Sequence, residues 1–190
     1  MHTIEPYYNW LNLYDTSRDA LSPFYGKKYD FTSYTDTIYN YYIDPAWDYI
    51  GSDTLFLKIL YADYHRGFTI IELLGEWNDA INNDIMHLKR NIIDHMVAQG
   101  ISQFILLGQS VFNFHASDDS YYEEWFDDIE EGWIAAIDFH DFVYEEWKKY
   151  NLDYYIIFGG DLEMNNWRTF SPIQLYERVN QIFRRRISLE

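Results

Sequence analysis

The chain has no cysteine. That excludes disulfides, thiolate metal sites, iron–sulfur clusters and cysteine nucleophiles together. No apolar run reaches the roughly 18–20 residues a membrane helix needs. Met1 to Trp10 lacks a basic region followed by an apolar stretch, so a secretory signal is not expected. Basic residues are scarce: 14 against 31 acidic, a net charge of −17. A field of that sign repels phosphate backbones and anionic lipid surfaces, so neither nucleic acid nor a membrane is an expected partner. Gly159-Gly160 follows an apolar run, but no Gly-x-Gly-x-x-Gly and no Gly-Lys-Ser/Thr follows, so a nucleotide cradle is unsupported. No Gly-x-Ser-x-Gly elbow offers an esterase nucleophile. Internal repeats and low-complexity segments are absent too.

What is present is an ordinary globular composition. The 190 residues are 48% hydrophobic and 24% charged, enough for one domain with a core. The expectation is a single cytoplasmic domain over residues 1–190, in which 1–50 form an aromatic-rich extension packed on an α/β core at 54–187. Residues 1–50 carry 14 of the 39 aromatic side chains. Rings with a hydroxyl tip suit half-buried surfaces and interfaces. The segment can wrap the core, form a partner or self-association surface, or stack on sugars. Between Asp118 and Lys149 stand 12 acids and two lysines. That run reads either as a solvated helix face or as a docking surface for a basic partner or cations.

Periodicity orders the elements. Pro6 can open a short helix through Tyr14. Thr37 to Ile43 reads as a strand ended by Asp44-Pro45. Thr54 to Tyr61 and Phe68 to Leu74 read as a hairpin joined by the polar stretch Asp63 to Gly67. Ile81, Ile85, Leu88, Ile92 and Met96 predict a helix over Asn78 to Gln99, capped by Asn78 or Asp79 and stopped at Gly100. Phe104 to Leu107 reads as a strand buried on both faces. Asp119 to Tyr150 carries a helical apolar line through Tyr122, Phe126, Ile129, Trp133, Ile137, His140, Tyr144 and Trp147. One helix of that length spans about 45 Å, too long for this domain, so a break is expected near Glu131-Gly132. His140 then reads as a core histidine. Tyr154 to Phe158 reads as a second buried strand. Ser171-Pro172 starts the last helix, with Ile173, Tyr176, Val179 and Phe183 inward. Arg184, Arg185 and Arg186 sit at its carboxyl end, where positive charge opposes the helix dipole. Strands that alternate with helices pair in parallel. The fold class is therefore α/β: a mixed sheet with a leading antiparallel hairpin and a parallel βαβαβα part, packed with helices.

Strand Phe68 to Leu74 runs into Gly75-Glu76-Trp77-Asn78, followed by a helix and the buried strand Phe104 to Leu107. In this order and spacing, residues 54–187 resemble the anti-sigma-factor-antagonist (STAS) fold and its SpoIIAA-like relatives, whose corresponding strand ends in Gly-Glu-Leu-Asp. The signalling members of that family carry Asp-Ser-Ser-Gly, with a phosphorylated serine, after the next strand. Here the matching stretch is Ala116-Ser117-Asp118-Asp119. Only Ser117 is kept, and a phosphate on it would face two repelling acids.

Ligands of open parallel sheets bind beyond the carboxyl ends of the strands. Three such ends gather Glu76, Asn78, His115, Ser117, Asp118, Asp119, Asp161 and Glu163 as candidate ligand-binding residues. Paired carboxylates can act as acid and base, or hold Mg²⁺ or Ca²⁺; acids at loop starts also serve simply as caps. His87 and His95 lie two helical turns apart, about 12 Å, too far to share a metal. The sequence thus points first to a non-catalytic protein-interaction or regulatory domain, working through a protein partner or self-association. The alternative is an enzyme or small-ligand binder using the acidic rim, with a divalent cation as its possible cofactor.

Overall fold

The computed structural model describes residues 2–188. Its main sheet has six strands in the order β4(Asp48–Tyr49), β5(Leu55–Asp63), β6(Phe68–Asn78), β7(Gln103–His115), β8(Trp133–Ile137), β9(Ile156–Ile157). β5 is antiparallel to both its neighbours, and β6 to β9 run parallel. A second, three-stranded sheet joins β1(His2–Ile4), β3(Tyr41–Ile43) and β2(Thr37–Ile38) in that order. The α/β class, the leading hairpin and the mixed sheet all stand, with one parallel strand more than the sequence suggested.

Side chains alternate across the sheet because successive residues of a strand point to opposite faces. On one face Leu57, Ile71, Leu73, Phe104, Leu106 and Ile134 pack against the helices that precede β7, β8 and β9. On the other, Ile70, Ile105, Leu107 and Ala135 meet the last helix, together with Trp10, Leu162 and Trp167. Burial on both sides explains why the runs of β6 and β7 are so largely apolar. Two charges stand among the apolar residues of β5 and β6 on the second face. Lys58 on β5 and Glu72 on β6 are direct cross-strand partners, and both are buried.

The helix expected over 78–99 starts at its expected cap but is broken after one turn. Asn78 caps a single turn, α1(Asp79–Asn82), accepting a hydrogen bond from the Ile81 amide. Asn83 then turns left-handed at φ 51°, which ends that turn. α2(Asp84–Leu88), a π-helical turn at Lys89–Ile93 and α3(Asp94–Ala98) follow. The break serves Asp84: its buried carboxylate accepts from the Asn78 amide, the Ser52 hydroxyl and the Thr54 hydroxyl at 2.7, 2.5 and 3.0 Å. Ile85, Leu88, Ile92 and Met96 do face the core, whereas Ile81 is 82% exposed.

The longer helical reading fails at its centre. Residues 119–150 form α4(Ser120–Asp128), strand β8 and α5(Asp141–Lys149). Trp133 and Ile137 are four apart, so they fit a helical stripe as well as one face of a strand. Gly132 decides the matter: a Cβ there would lie 1.8 Å from the Ser102 carbonyl oxygen, so only glycine lets the chain enter beside β7. His140 is consequently not in the core. It is exposed, precedes α5 and shares a 3.0 Å hydrogen bond with the Gln109 carbonyl.

Other bounds shift less. β7 extends eight residues beyond the expected Leu107. The strand expected over 154–158 shrinks to Ile156–Ile157, after a 3-10 turn at Leu152–Tyr154. No helix follows Pro6, the segment forming turns over Asn9–Leu13 instead, and Thr37 to Ile43 folds as the β2–β3 hairpin. α6(Pro172–Ile187) begins at a Ser171–Gln174 capping box, and its deepest side chains are Leu175, Val179 and Ile182. Ile173, Tyr176 and Phe183 flank them half-buried. No described helix is long and apolar enough to cross a membrane.

The break at Asn83 gives a direct test by denaturant unfolding. Ile85→Ala is expected to cost roughly 2–5 kcal/mol, as for a truncated core aliphatic. Ile81→Ala is expected to stay within about 0.5 kcal/mol, as for a surface change. Equal losses would contradict the break at Asn83.

Candidate functional site

The structure divides the expected rim in two. Register pairs Glu76 with Asn113 and Asn78 with His115, and the loop carrying Ser117, Asp118 and Asp119 follows directly. β8, however, ends level with Leu107. Asp161 and Glu163 follow β9, which pairs still farther back on β8. His115 thus lies eight residues of β7, roughly 26 Å of strand, beyond the end of β8, whereas Asp119 comes back to Tyr155, the residue before β9.

Most of these side chains have local partners. Asn78 caps α1. His115 shares a 3.0 Å hydrogen bond with the Asn113 amide nitrogen. Asp118 accepts from the Ser120 amide and hydroxyl, which hold its carboxyl below the usual range. Asp119 accepts from the Tyr155 hydroxyl at 2.9 Å. Ser117 is half-buried and Asp161 exposed. Glu76 accepts from the Tyr39 hydroxyl at 2.5 Å, a bond that pushes the phenol up to about 12. Glu163 lines a cleft of about 260 Å³ with Asp138, Asp141 and Tyr144, beyond the end of β8.

That cleft borders a constellation the sequence reading missed. Asp138 follows β8 directly in the left-handed conformation, at φ 60°. Its carboxylate accepts from the Trp167 indole at 3.0 Å and lies 3.7 Å from the Arg168 guanidinium. Arg168 also reaches Glu72 at 3.8 Å and donates to Gln109 Oε1 at 2.8 Å. The guanidinium stacks on Trp167, 4.2 Å from the ring centroid. Glu72 accepts from the Tyr7 backbone amide at 2.7 Å. Burial pushes the Glu72 carboxyl up to about 7; the Tyr7 amide and Arg168 oppose the shift only in part. Burial raises Asp138 as well, against its indole bond and Arg168. Two carboxyls made easier to protonate beside one arginine, at a strand's carboxyl end, have the make-up of an acid–base or ligand-holding group. The signal in the sequence was Glu72 itself, the one charge inside Phe68 to Leu74. Asp138 was hidden with the missed strand.

Two further acidic groups are structural. Asp79 is buried under the indole of Trp77, the Ile85 amide and the Tyr122 hydroxyl, at 2.9, 2.8 and 2.6 Å. Burial pushes it up to about 6. Among the described residues, Asp94, Glu124 and Asp128 bring carboxylate oxygens within 4.8 Å of one another. Lys89 already lies among them, 3.3 Å from Glu124, 2.7 Å from Asp128 and in contact with Asp94. Arg90 pairs with Asp94 and Glu124 besides. This is an ion-pair network whose centre is held by a buried ammonium.

On the second face, Asp48 joins β4 to the front segment. Its carboxylate takes Lys27 and the Tyr29 hydroxyl at 2.7 Å each and Lys58 at 3.4 Å. The Lys58 ammonium also lies 4.1 Å from the Tyr29 ring centroid. Burial pulls the Lys58 ammonium below its usual value, and Asp48 opposes this.

The pH dependence follows from these carboxyls. A raised acid binds more protons folded than unfolded, so its stabilising contribution is complete below its unfolded pKa and is lost as pH rises through the folded one. Asp79 loses its share by about pH 6, and Glu72 continues to about pH 7. Each tenfold difference in proton affinity between the folded and unfolded chain is worth about 1.4 kcal/mol, so unfolding free energy is expected to fall by a few kcal/mol between about pH 5 and 7. Glu72→Gln, which keeps an acceptor for the Tyr7 amide, is expected to flatten the part between about pH 6 and 7 in urea titrations. An unchanged slope would contradict the assignment.

No protein-family model matches the chain, and no curated protein matches it.

Proposed function

We propose that this protein is a non-catalytic interaction module whose contact surface is the outer side of its front segment. One observation carries the reading. The small sheet leaves its tyrosines exposed: Tyr39, Tyr41 and Tyr42 are 58%, 39% and 37% exposed, and Tyr49 on the neighbouring β4 is 55% exposed. The core does not require them there. The inward layer beneath is complete, with Ile43, Trp47, Phe56 and Leu74 packed together. Tyr39 and Tyr41 rest against Phe112 on the projecting arm of β7, at 5.7 and 6.3 Å between ring centroids. Exposed rings held on a rigid backbone supply contact area at low entropic cost, and contiguous patches of this kind mark association sites. The expected partner is a protein. The net charge of −17 weighs against nucleic acid and anionic membranes, and the cysteine-free composition suits the cytoplasm. The parallel pairing of β6 with β7 is one the STAS resemblance requires, and it is common to α/β sheets at large. Ala116–Asp119 directly follows β7, but only Ser117 of the phosphorylated motif is kept and Asp118 and Asp119 would repel a phosphate on it, so a phosphoserine switch is not part of this proposal.

A photo-crosslinking amino acid at Tyr42 is expected to capture a discrete partner in cells that make the protein, and the same group at the exposed Phe142 of α5 to capture none. A strictly monomeric state in light scattering, together with no adduct at Tyr42, would contradict the interaction reading.

The Glu72–Arg168–Asp138 group favours a second reading, a small-ligand site opening into the cleft at Asp141 and Glu163. It is expected to show as a saturable thermal shift with one member of a panel of Mg²⁺, Ca²⁺, Mn²⁺, nucleotides and sugars. A ligand at one hundred times its dissociation constant adds about 2.7 kcal/mol, and Asp138→Asn is expected to abolish that shift. A flat panel at saturating concentrations would leave the second reading without support.

A further inference from the structure

We infer that the groove between the small sheet and the start of β5 is a receptor for a lysine or arginine side chain presented by a partner protein. The inference rests on the interaction reading above and names the chemistry of the partner.

The groove holds about 280 Å³, near the lower end of the range for small-ligand sites. Its floor is apolar, formed by Ile38, Ile43 and Phe56. Three carboxylates stand around it: Asp36 and Asp53, both exposed, and Glu76, half-buried. Among the described residues, no basic side chain lines it. A second hollow continues past Phe56, Ile43 and Asp36 toward Tyr49 and Lys27, and that lysine is already committed to Asp48 at 2.7 Å.

Two tyrosine–carboxylate pairs border this space. The Tyr39 hydroxyl donates to Glu76 at 2.5 Å, and the Tyr49 hydroxyl reaches Asp53 at 3.5 Å. The same chemistry is already occupied elsewhere in this molecule. Beneath the front segment the Lys58 ammonium lies over the Tyr29 ring, and that tyrosine's hydroxyl donates to the Asp48 carboxylate that pairs with the lysine. The groove repeats the ring and the carboxylate on the outside and leaves the cation to be supplied.

Four constraints select the occupant. An apolar floor beneath charged rims suits a long aliphatic stem with a cationic head, which buries the stem and leaves the head among the acids. Aromatic faces attract such a head. A neutral sugar would leave three carboxylates uncompensated. A metal ion is disfavoured by spacing. The acids that converge within 4.8 Å among the described residues are Asp94, Glu124 and Asp128, so the three of the groove stand too far apart to share one ion.

The test uses the full chain and two fluorescent ten-residue peptides, one with four lysines and one with glutamine in their place, followed by anisotropy at 50 and 300 mM salt. The lysine peptide is expected to bind, more weakly at high salt, and the glutamine peptide is not. The double variant Asp53→Asn/Glu76→Gln is expected to weaken binding at least tenfold. Asp127→Asn/Glu131→Gln, on the remote acidic face, is expected to change it less than twofold. Circular dichroism on each variant confirms folding. No binding by the parent chain, or an equal loss in the remote variant, would overturn the inference. Preferential binding of a glycan panel would overturn it as well. Adducts at Tyr42 without affinity for the lysine peptide would overturn this inference and leave the interaction reading intact.

Discussion

Two opposite charges inside a β-sheet set the plan of this molecule. Lys58 and Glu72 face each other across β5 and β6, on the side of the sheet away from α1 to α5. A buried ion left without partners costs several kcal/mol, so each must be met by other groups. The last helix does not reach them. The front fifty residues supply Asp48, Tyr29 and the Tyr7 amide, and Arg168 adds its guanidinium beside Glu72. Trp10 is then seated against Trp167 and Tyr7, with ring centroids 5.7 and 5.2 Å apart. The segment thus shares the second face with α6, and polar bonds hold it where the buried charges lie.

That mode of attachment explains why so many aromatic side chains end on the outside. A segment fixed at Tyr7, Tyr29 and Asp48 must span the distance between those points with turns and a small sheet. Its inward residues are spent on Trp47, Ile43 and the Asp44 carboxylate, which accepts from the Tyr8 hydroxyl at 2.8 Å. Tyr42 alternates with inward Ile43 on β3 and points to solvent, while Tyr41 at the strand start and Tyr39 in the hairpin turn rest exposed against Phe112. The exposed surface and the buried charges are two consequences of one arrangement.

The sequence made the central frame legible. The runs of β5 and β6, the parallel neighbour β7, the Ser171 cap and the stripe Ile85 to Met96 follow from period and capping chemistry. What it concealed has physical causes. Trp133 to Ile137 satisfies both helical and strand spacing, and the two alanines between carry no preference strong enough to separate them. Asn83 and Asp84 read as ordinary helix surface until the Asp84 carboxylate is seen to need Ser52, Thr54 and the Asn78 amide. The candidate rim looked continuous because strand ends were counted without strand lengths; β7 runs so far past β8 that Glu76 and Glu163 serve different surfaces. Glu72 and Lys58 were visible as single charges in apolar runs, the one signal from which the inner polar cluster was recoverable.

Hydrogen exchange on Asp48→Asn tests most directly whether the buried charges hold the front segment in place. That change keeps the size of the side chain and removes the charge that pairs with Lys58 and Lys27. The account requires the amides of residues 2–49 to lose protection while those of β6, β7 and β8 keep theirs. Protection lost evenly along the chain, or unchanged in the front segment, would contradict it.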